Sequence, residues 1–241
     1  MLLESHWIVY GLLASIIASV HLWIGWFETR FERSENRWIG FVGGIALGYV
    51  TLYMLPKLSY VTVRFIAANP DASWELQYRT YFILLLGIVV HLVFERVSRM
   101  GTGGANAARW LEIVVLALYS FLVGYVAVEL PRSQIKFHVL ANVILAFHLM
   151  GMVHHLRTRY PSAHAGWSPF AFALLIAFSY VLGIVTELRE LFVVSATAFI
   201  AGIILVNVMS EELPTGKEGR LRYFLVGVSV FTLVFILIPP T

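Results

Sequence analysis

Eight times along this chain a run of about twenty residues, the length a helix needs to cross a bilayer, passes with almost no charge. The runs lie at about 7–28, 38–58, 78–97, 109–130, 135–156, 167–187, 190–210 and 221–239. In hydrocarbon no water is at hand to satisfy a peptide group, so each run is confined to a helix. Composition points the same way. The 241 residues are 59% hydrophobic and 13% charged, where soluble domains carry roughly 25% charged residues, and the mean hydropathy is +0.81. A water-soluble core of this length cannot bury so much apolar surface, so lipid is the expected solvent. Trp7, Trp23, Trp26, Trp38, Trp74, Trp110 and Trp167 all fall near the ends of runs, where an amphipathic ring is favoured. The expected fold class is an all-α integral membrane protein with a single transmembrane domain over residues 1–241 and eight spans.

Charge sets the expected orientation. The connections after the first, third, fifth and seventh runs hold eleven of the Lys and Arg residues and the opposite face holds six. The positive-inside rule then places both termini outside. "MLLESHWIVYG" has no basic n-region and no A-x-A site follows, so the first run is expected to be a retained span. A prokaryotic inner membrane is the expected location. The net charge of +3 sits in short loops and reads as topology, with no nucleic acid as partner. There is no cysteine, which removes disulfides and thiolate chemistry from consideration.

Two stretches, "GGIALGYVTLYMLP" (43–56) and "AGIILVNVMSEELP" (201–214), agree without a gap at Gly44/Gly202, Ile45/Ile203, Leu47/Leu205, Val50/Val208, Leu55/Leu213 and Pro56/Pro214. They stand 158 residues apart on the second and seventh runs, which cross in opposite directions. "TYFILLLGIVVHLVF" (80–94) and "RYFLVGVSVFTLVF" (222–235) continue the likeness, sharing Tyr-Phe and Leu-Val-Phe. Such a pattern is the mark of an inverted repeat: three helices, a central pair, and three inverted. Pro56 and Pro214 are expected to end their helices.

With this plan the chain resembles the ZIP family of divalent-metal transporters. "LYMLPK" (52–57) stands where the family has a His-Leu-Leu-Pro-Glu type signature, with Tyr53 in the His place and Lys57 in the Glu place. "MSEELP" (209–214) keeps the family's acidic-Leu-Pro ending. "YSFLVG" (119–124) is the best match to His-Asn/Ser-Phe-x-Asp/Glu-Gly on the fourth helix, and "HLMGMV" (148–153) to His-Glu-x-Pro-His-Glu on the fifth. The resemblance implies eight spans, both termini outside, an inverted three-plus-two-plus-three fold and a second copy as partner, whereas a subunit or scaffold would meet another membrane protein laterally in the bilayer. In the family the fourth and fifth helices supply a His and carboxylate metal centre. The matching positions here are Tyr119, Ser120 and Val123, then His148, Leu149, Gly151, Met152 and Val153. His148 alone keeps the family's ligand type.

A dication in a bilayer needs roughly four to six N or O ligands, some of them anionic. This set offers an imidazole, a hydroxyl, a phenol and a thioether, and an uncompensated dication at low dielectric is costly. Metal transport through the family's centre is therefore not expected, and no cofactor is. His148 and Met152 share a helix face at i, i+4 and form a soft pair suited to Cu(I). The plainer reading has Met152 filling a gap and His148 bonded to Ser120 or Tyr119 across the helix pair. Tyr53, Tyr119, Ser120, Val123 and His148 are the expected lining of a central path. Glu211 and Glu212 are either exit-side metal ligands or a solvated pair. His21 and His91 read as interhelical hydrogen-bond formers. His154, His155, Arg157 and Arg159 read as cations at a helix C-terminus.

An enzyme is not expected. The only aspartate, Asp71, sits in a loop, and no H-E-x-x-H or phosphate-binding glycine loop occurs. No lysine lies mid-span to bind retinal. The expected function is a ZIP-like membrane protein with a degenerate metal centre: a subunit or scaffold, or a carrier of a non-metal solute. The competing expectation is a divalent or copper transporter built around His148. A scaffold's partner is expected at loops 59–77 and 98–108 or along small-residue faces such as Gly40, Gly43, Gly44, Ala46 and Gly48.

Overall fold

Hydrogen-bond economy in an apolar solvent accounts for what the chain does over residues 2–31, 35–99, 105–129, 135–186, 190–212 and 218–238, which a computed structural model describes. Every element among them is helical. In order they are α1 (Leu2–Phe31), α2 (Glu35–Tyr49), a π turn (Val50–Met54), α3 (Leu55–Ala68), α4 (Trp74–Arg99), α5 (Ala105–Glu129) and α6 (Ile135–Arg159). A 3₁₀ turn (Pro161–His164), α7 (Ser168–Val185), α8 (Glu190–Asn207), a second π turn (Val208–Glu212) and α9 (Glu218–Leu237) follow. Six stretches are long and apolar enough to cross a membrane: Gly11–Phe31, Arg37–Ala68, Trp74–Val97, Val139–Arg159, Ser168–Val185 and Phe192–Ser210. Two shorter apolar helices, Glu112–Tyr125 and Leu221–Leu237, lie beside them. This is the make-up of an integral membrane protein.

The helices sort into two groups. In one, α2 packs on α9 and α4 on α8; in the other, α5 packs on α7 and α1 on both α6 and α7. Contacts of α2 with α6 and of α5 with α8 join the groups. The outward faces are apolar, as in Leu85, Leu86, Val89 and Val93 of α4 and Leu174, Phe178 and Val181 of α7. Polar groups go inward, with His21, His91, Glu112, Ser120, Asn142, His148 and Asn207 all buried. This inside-out distribution is what a lipid solvent selects.

Glycines set the closest approaches. A Cβ added at Gly44 of α2 would stand 2.1 Å from the Phe224 carbonyl oxygen of α9, and one at Gly227 of α9 would stand 2.2 Å from that of Phe41. The other seam repeats the arrangement. A Cβ at Gly202 of α8 would meet the Leu84 oxygen of α4 at 2.3 Å, and one at Gly87 would meet that of Phe199 at 2.3 Å. Gly44 and Gly202 thus occupy like seats 158 residues apart, and Gly87 and Gly227 do so 140 residues apart. That second register is two residues off the one suggested by matching Tyr81-Phe82 to Tyr223-Phe224. Phe82 is exposed whereas Phe224 is buried, so the shared Tyr-Phe does not mark equivalent positions; backbone approach at the glycines does. The glycines of α2 are used inside the bundle, with Gly48 against the Phe231 ring.

The proline expectation needs correction. Pro56 does not end its helix: α3 continues to Ala68, so the expected loop 59–77 reduces to a short connection at 69–73. The π turn supplies the reason. Leu55 N–H donates to Val50 C=O, one residue further back than in an α-helix, and this wider turn precedes the ring of a residue that has no N–H to donate. The second π turn, Val208–Glu212, lies 158 residues after the first. Pro214 and the residues 187–189 between the sixth and seventh runs lie outside the described residues. The expected loop 98–108 is also shorter, because α4 runs to Arg99 and α5 starts at Ala105.

Candidate functional site

The group formed by α1, α5, α6 and α7 holds a hydrogen-bonded file of polar side chains. It begins where α6 ends. Tyr160 leaves the helix, Pro161 opens the 3₁₀ turn, and Gly166 at φ 61° reverses the chain into α7. Positive φ is the region where glycine has no Cβ penalty. Ser168 Oγ donates to the carbonyls of Ala163 and Ala165, both at 3.0 Å. The loop so tied presses His164 inward until it is 1% exposed.

There His164 Nε2 lies 3.1 Å from His21 Nδ1, and His21 Nε2 lies 3.3 Å from Ser120 Oγ. On its outer side His164 Nδ1 is 3.4 Å from Arg157 Nη1. The guanidinium has no lone pair to offer, so Nδ1 accepts and His164 carries its proton on Nε2. That proton is donated to His21 Nδ1, which leaves the His21 proton on Nε2 facing Ser120. One choice of tautomer thus fixes the next, and the file has a direction, each group donating inward from Arg157 to Ser120. Phe172 of α7 stacks on both rings, with centroids 5.1 Å from His21 and 5.8 Å from His164. Burial first, and then the neighbouring Arg157 charge, push His164 down to about 4, so its ring is neutral at neutral pH.

At the outer end Arg157 is anchored. Its Nε donates to Glu28 Oε2 at 2.8 Å, and His154 Nδ1 lies 2.9 Å from the other carboxylate oxygen. Trp38 meets the His154 ring edge-on at 5.0 Å. An open cleft of about 580 Å³ adjoins Glu28, Trp38, His154, Arg157 and His164. The polar file therefore leads from this cleft to Ser120 in the core.

The structure places the sequence-expected residues unevenly about this file. Ser120 belongs to it, and pairs with His21 rather than with His148. The expected Ser120–His148 bond is thus replaced by the bond to His21 across from α1. Tyr119 instead meets His148 edge to face at 5.6 Å, and Val123 is fully buried. Tyr53 stacks on Tyr49 at 5.5 Å, with the Lys57 ammonium 5.6 Å from its ring centre. Met152 does share the buried face with His148, and it lines a separate small cavity of about 30 Å³ with His91, Glu95, Glu112, His155 and Asn207. Arg159 Nε approaches Glu112 at 3.8 Å. The backbone of Glu211 and Glu212 forms the second π turn; their side chains lie outside the described residues. Among the described residues no three His, Cys, Asp or Glu side chains converge as a metal centre. His154 and Arg157 are partners of Glu28, and Arg157 and Arg159 are the basic residues in the last turn of α6.

Sequence reasoning missed His164 and Glu28. The signal for His164 was a histidine in "PSAHAG", between a proline that starts a turn and a glycine that ends it. Glu28 was a lone acid near the end of the first span, facing a helix end rich in cations. Compared with known proteins, the sequence matches no protein-family model and no curated protein.

Proposed function

We propose that this chain is an eight-span carrier of ZIP-like plan, with an inverted three-plus-two-plus-three repeat and both termini outside, that moves a small polar solute other than a metal ion. The file from Arg157 through His164 and His21 to Ser120 carries the reading. Polar groups inside a membrane are expensive, and a chain of them leading from an open cleft to the core is a path by default. A scaffold packed only for rigidity has no need of such a file.

Two features support the repeat. The π turns stand in the same 158-residue register as the matched glycines, and the helix pairings exchange under it: α2 on α9 corresponds to α8 on α4, and α1 on α6 to α7 on α5. Broken or irregular helices at corresponding places in two halves are characteristic of transporters. The inner part of the file argues for an uncharged or hydrogen-bonding solute, since His21 and Ser120 bring no anionic group to repay the dehydration of a dication.

The absence of native cysteine makes the test clean. Ser120→Cys and Val123→Cys each give a chain with a single thiol. In liposomes a membrane-impermeant maleimide is expected to reach both, from one face and then from the other as conditions change. Protection of both thiols on both faces in folded protein refutes the carrier and leaves the scaffold. The metal-transporter reading has its own arm. Uptake of Zn²⁺, Fe²⁺, Mn²⁺ or Cu⁺ that disappears in His148→Ala would replace the proposal with an atypical metal site.

A further inference from the structure

We propose that the α3–α4 hairpin, closed on one side by α8, binds a phosphate group, either on an anionic lipid headgroup or as free inorganic phosphate. The site is a cavity of about 240 Å³ between the last turns of α3, the first turns of α4 and Val194. Its polar lining consists of Arg64, Arg79, Asn69, Gln77, Thr62 and Thr80. The acids of the hairpin, Asp71 and Glu75, are not part of the lining, and among the described residues neither guanidinium has an ion-pair partner.

Two cations therefore share a small space with no anion to neutralise them. Each is held over an aromatic ring, Arg64 over Tyr60 at 5.9 Å and Arg79 over Phe65 at 5.6 Å. Such contacts orient a guanidinium without cancelling its charge. Arg79 Nε is buried and meets no acceptor among the described residues. The amides add donors. Asn69 Nδ2 gives one N–H to the Phe65 carbonyl and Gln77 Nε2 gives one to that of Ala72, so each keeps a second. A cavity rich in donors, poor in anionic acceptors and doubly positive matches a group that only accepts, and the fork of arginine fits phosphate oxygens in pairs.

Size and place narrow the choice. The volume falls below the roughly 300–1,000 Å³ of drug-sized sites, which suits a headgroup or a single anion. Tyr60, Trp74 and Tyr78 are exposed around the hairpin, and exposed tyrosine and tryptophan mark the level of lipid headgroups. The contrast with the other large cleft is informative, because there Arg157 already has Glu28.

The test uses the whole protein in nanodiscs of phosphatidylcholine with and without phosphatidylglycerol. Native mass spectrometry counts retained lipid, and thermal unfolding reports stabilisation. Wild type is expected to retain phosphatidylglycerol at least about fivefold over Arg64→Gln and Arg79→Gln, while Arg30→Gln, whose side chain is exposed and remote from the cavity lining, retains it like wild type. A parallel arm adds inorganic phosphate to lipid-free protein in detergent. A raised midpoint there, abolished in the same two variants, with no selective lipid retention assigns the site to the free anion. Arg64 is exposed, so Arg64→Gln keeps the test valid if Arg79→Gln misfolds. Equal lipid retention in wild type and Arg64→Gln, with no shift by phosphate, overturns the proposal.

Discussion

Replacing Gly44 by alanine tests the packing directly. The added Cβ would stand 2.1 Å from the Phe224 carbonyl oxygen and 2.8 Å from the Val228 nitrogen. A comfortable carbon–oxygen contact is about 3.3 Å or more, so α2 and α9 must part by ~1 Å along their longest seam. The obstacle is backbone, which cannot rotate away as a side chain can. Overpacking costs about 1–3 kcal/mol, and a backbone clash belongs at the upper end. Alanine's better helix propensity offsets about 1 kcal/mol, leaving a net loss of about 2 kcal/mol. For a chain of this size that is ~4–8 °C in unfolding midpoint, readable by tryptophan fluorescence during heating in detergent. Gly11→Ala is the control. Nothing lies within 4 Å of its added Cβ, so only propensity acts and the midpoint is expected to rise by ~2–4 °C. Gly202→Ala is expected to lose as much as Gly44→Ala, since its Cβ would meet the Leu84 oxygen at 2.3 Å. Combining Gly44→Ala with Gly227→Ala, in one seam, should cost less than the sum, whereas Gly44→Ala with Gly202→Ala, in two seams, should add. A Gly44→Ala protein that unfolds at or above the wild-type midpoint refutes the reasoning.

Three further outcomes follow from the polar file. Glu28→Ala strips Arg157 and His154 of their shared acceptor, and a loss of roughly 1–3 kcal/mol is expected by the same unfolding assay. Acid should weaken the fold through His164. Its folded-state value of about 4 lies below the usual histidine value of about 6.5, so below pH 6.5 the unfolded chain takes up a proton that the folded chain refuses until about pH 4. Stability from this group is therefore full above pH 6.5 and falls by about 2 kcal/mol between pH 7 and pH 5, a slope that should flatten in His164→Gln. His21→Ala opens a gap beside Phe172 and leaves Ser120 and His164 without their shared partner; a loss of about 2 kcal/mol is expected, and an unchanged midpoint would show that the file contributes nothing to folding.

Much of this architecture could be read from the residues, because lipid imposes a simple rule on long apolar runs. The runs located the helices, and the paired Gly44 and Gly202 marked the places where two backbones come closest. What stayed hidden depended on distance along the chain or on a break with water-based habit. Pro56 ends helices where its missing hydrogen bond is not absorbed; here a π turn absorbs it, and no local residue type announces such a turn. Ser120 lies beside His148 in any reading of the fourth and fifth helices alone, but its partner, His21, is 99 residues away. His164 carried no periodicity, being in a loop, and only the folding of that loop against α1 brings it into the core. The resemblance that directed attention to the helix 4–5 positions was useful for Ser120 and silent about Arg157 and Glu28, which lie at the mouth.

The π turns have a consequence for how these helices tolerate change in length. Such a turn holds one residue more than α geometry requires, so the surplus is stored locally and the segments on either side keep their angular relation. Deleting one residue within α4 would swing everything beyond it by about 100° about the helix axis. Deleting one from 50–54, with Pro56 replaced by alanine, would instead relax the turn to α geometry and leave Gly44 facing α9 and Arg64 facing its cavity. The two π turns act as slack, one in each of the most buried long helices, and they are where this bundle can lose a residue without rewriting its seams.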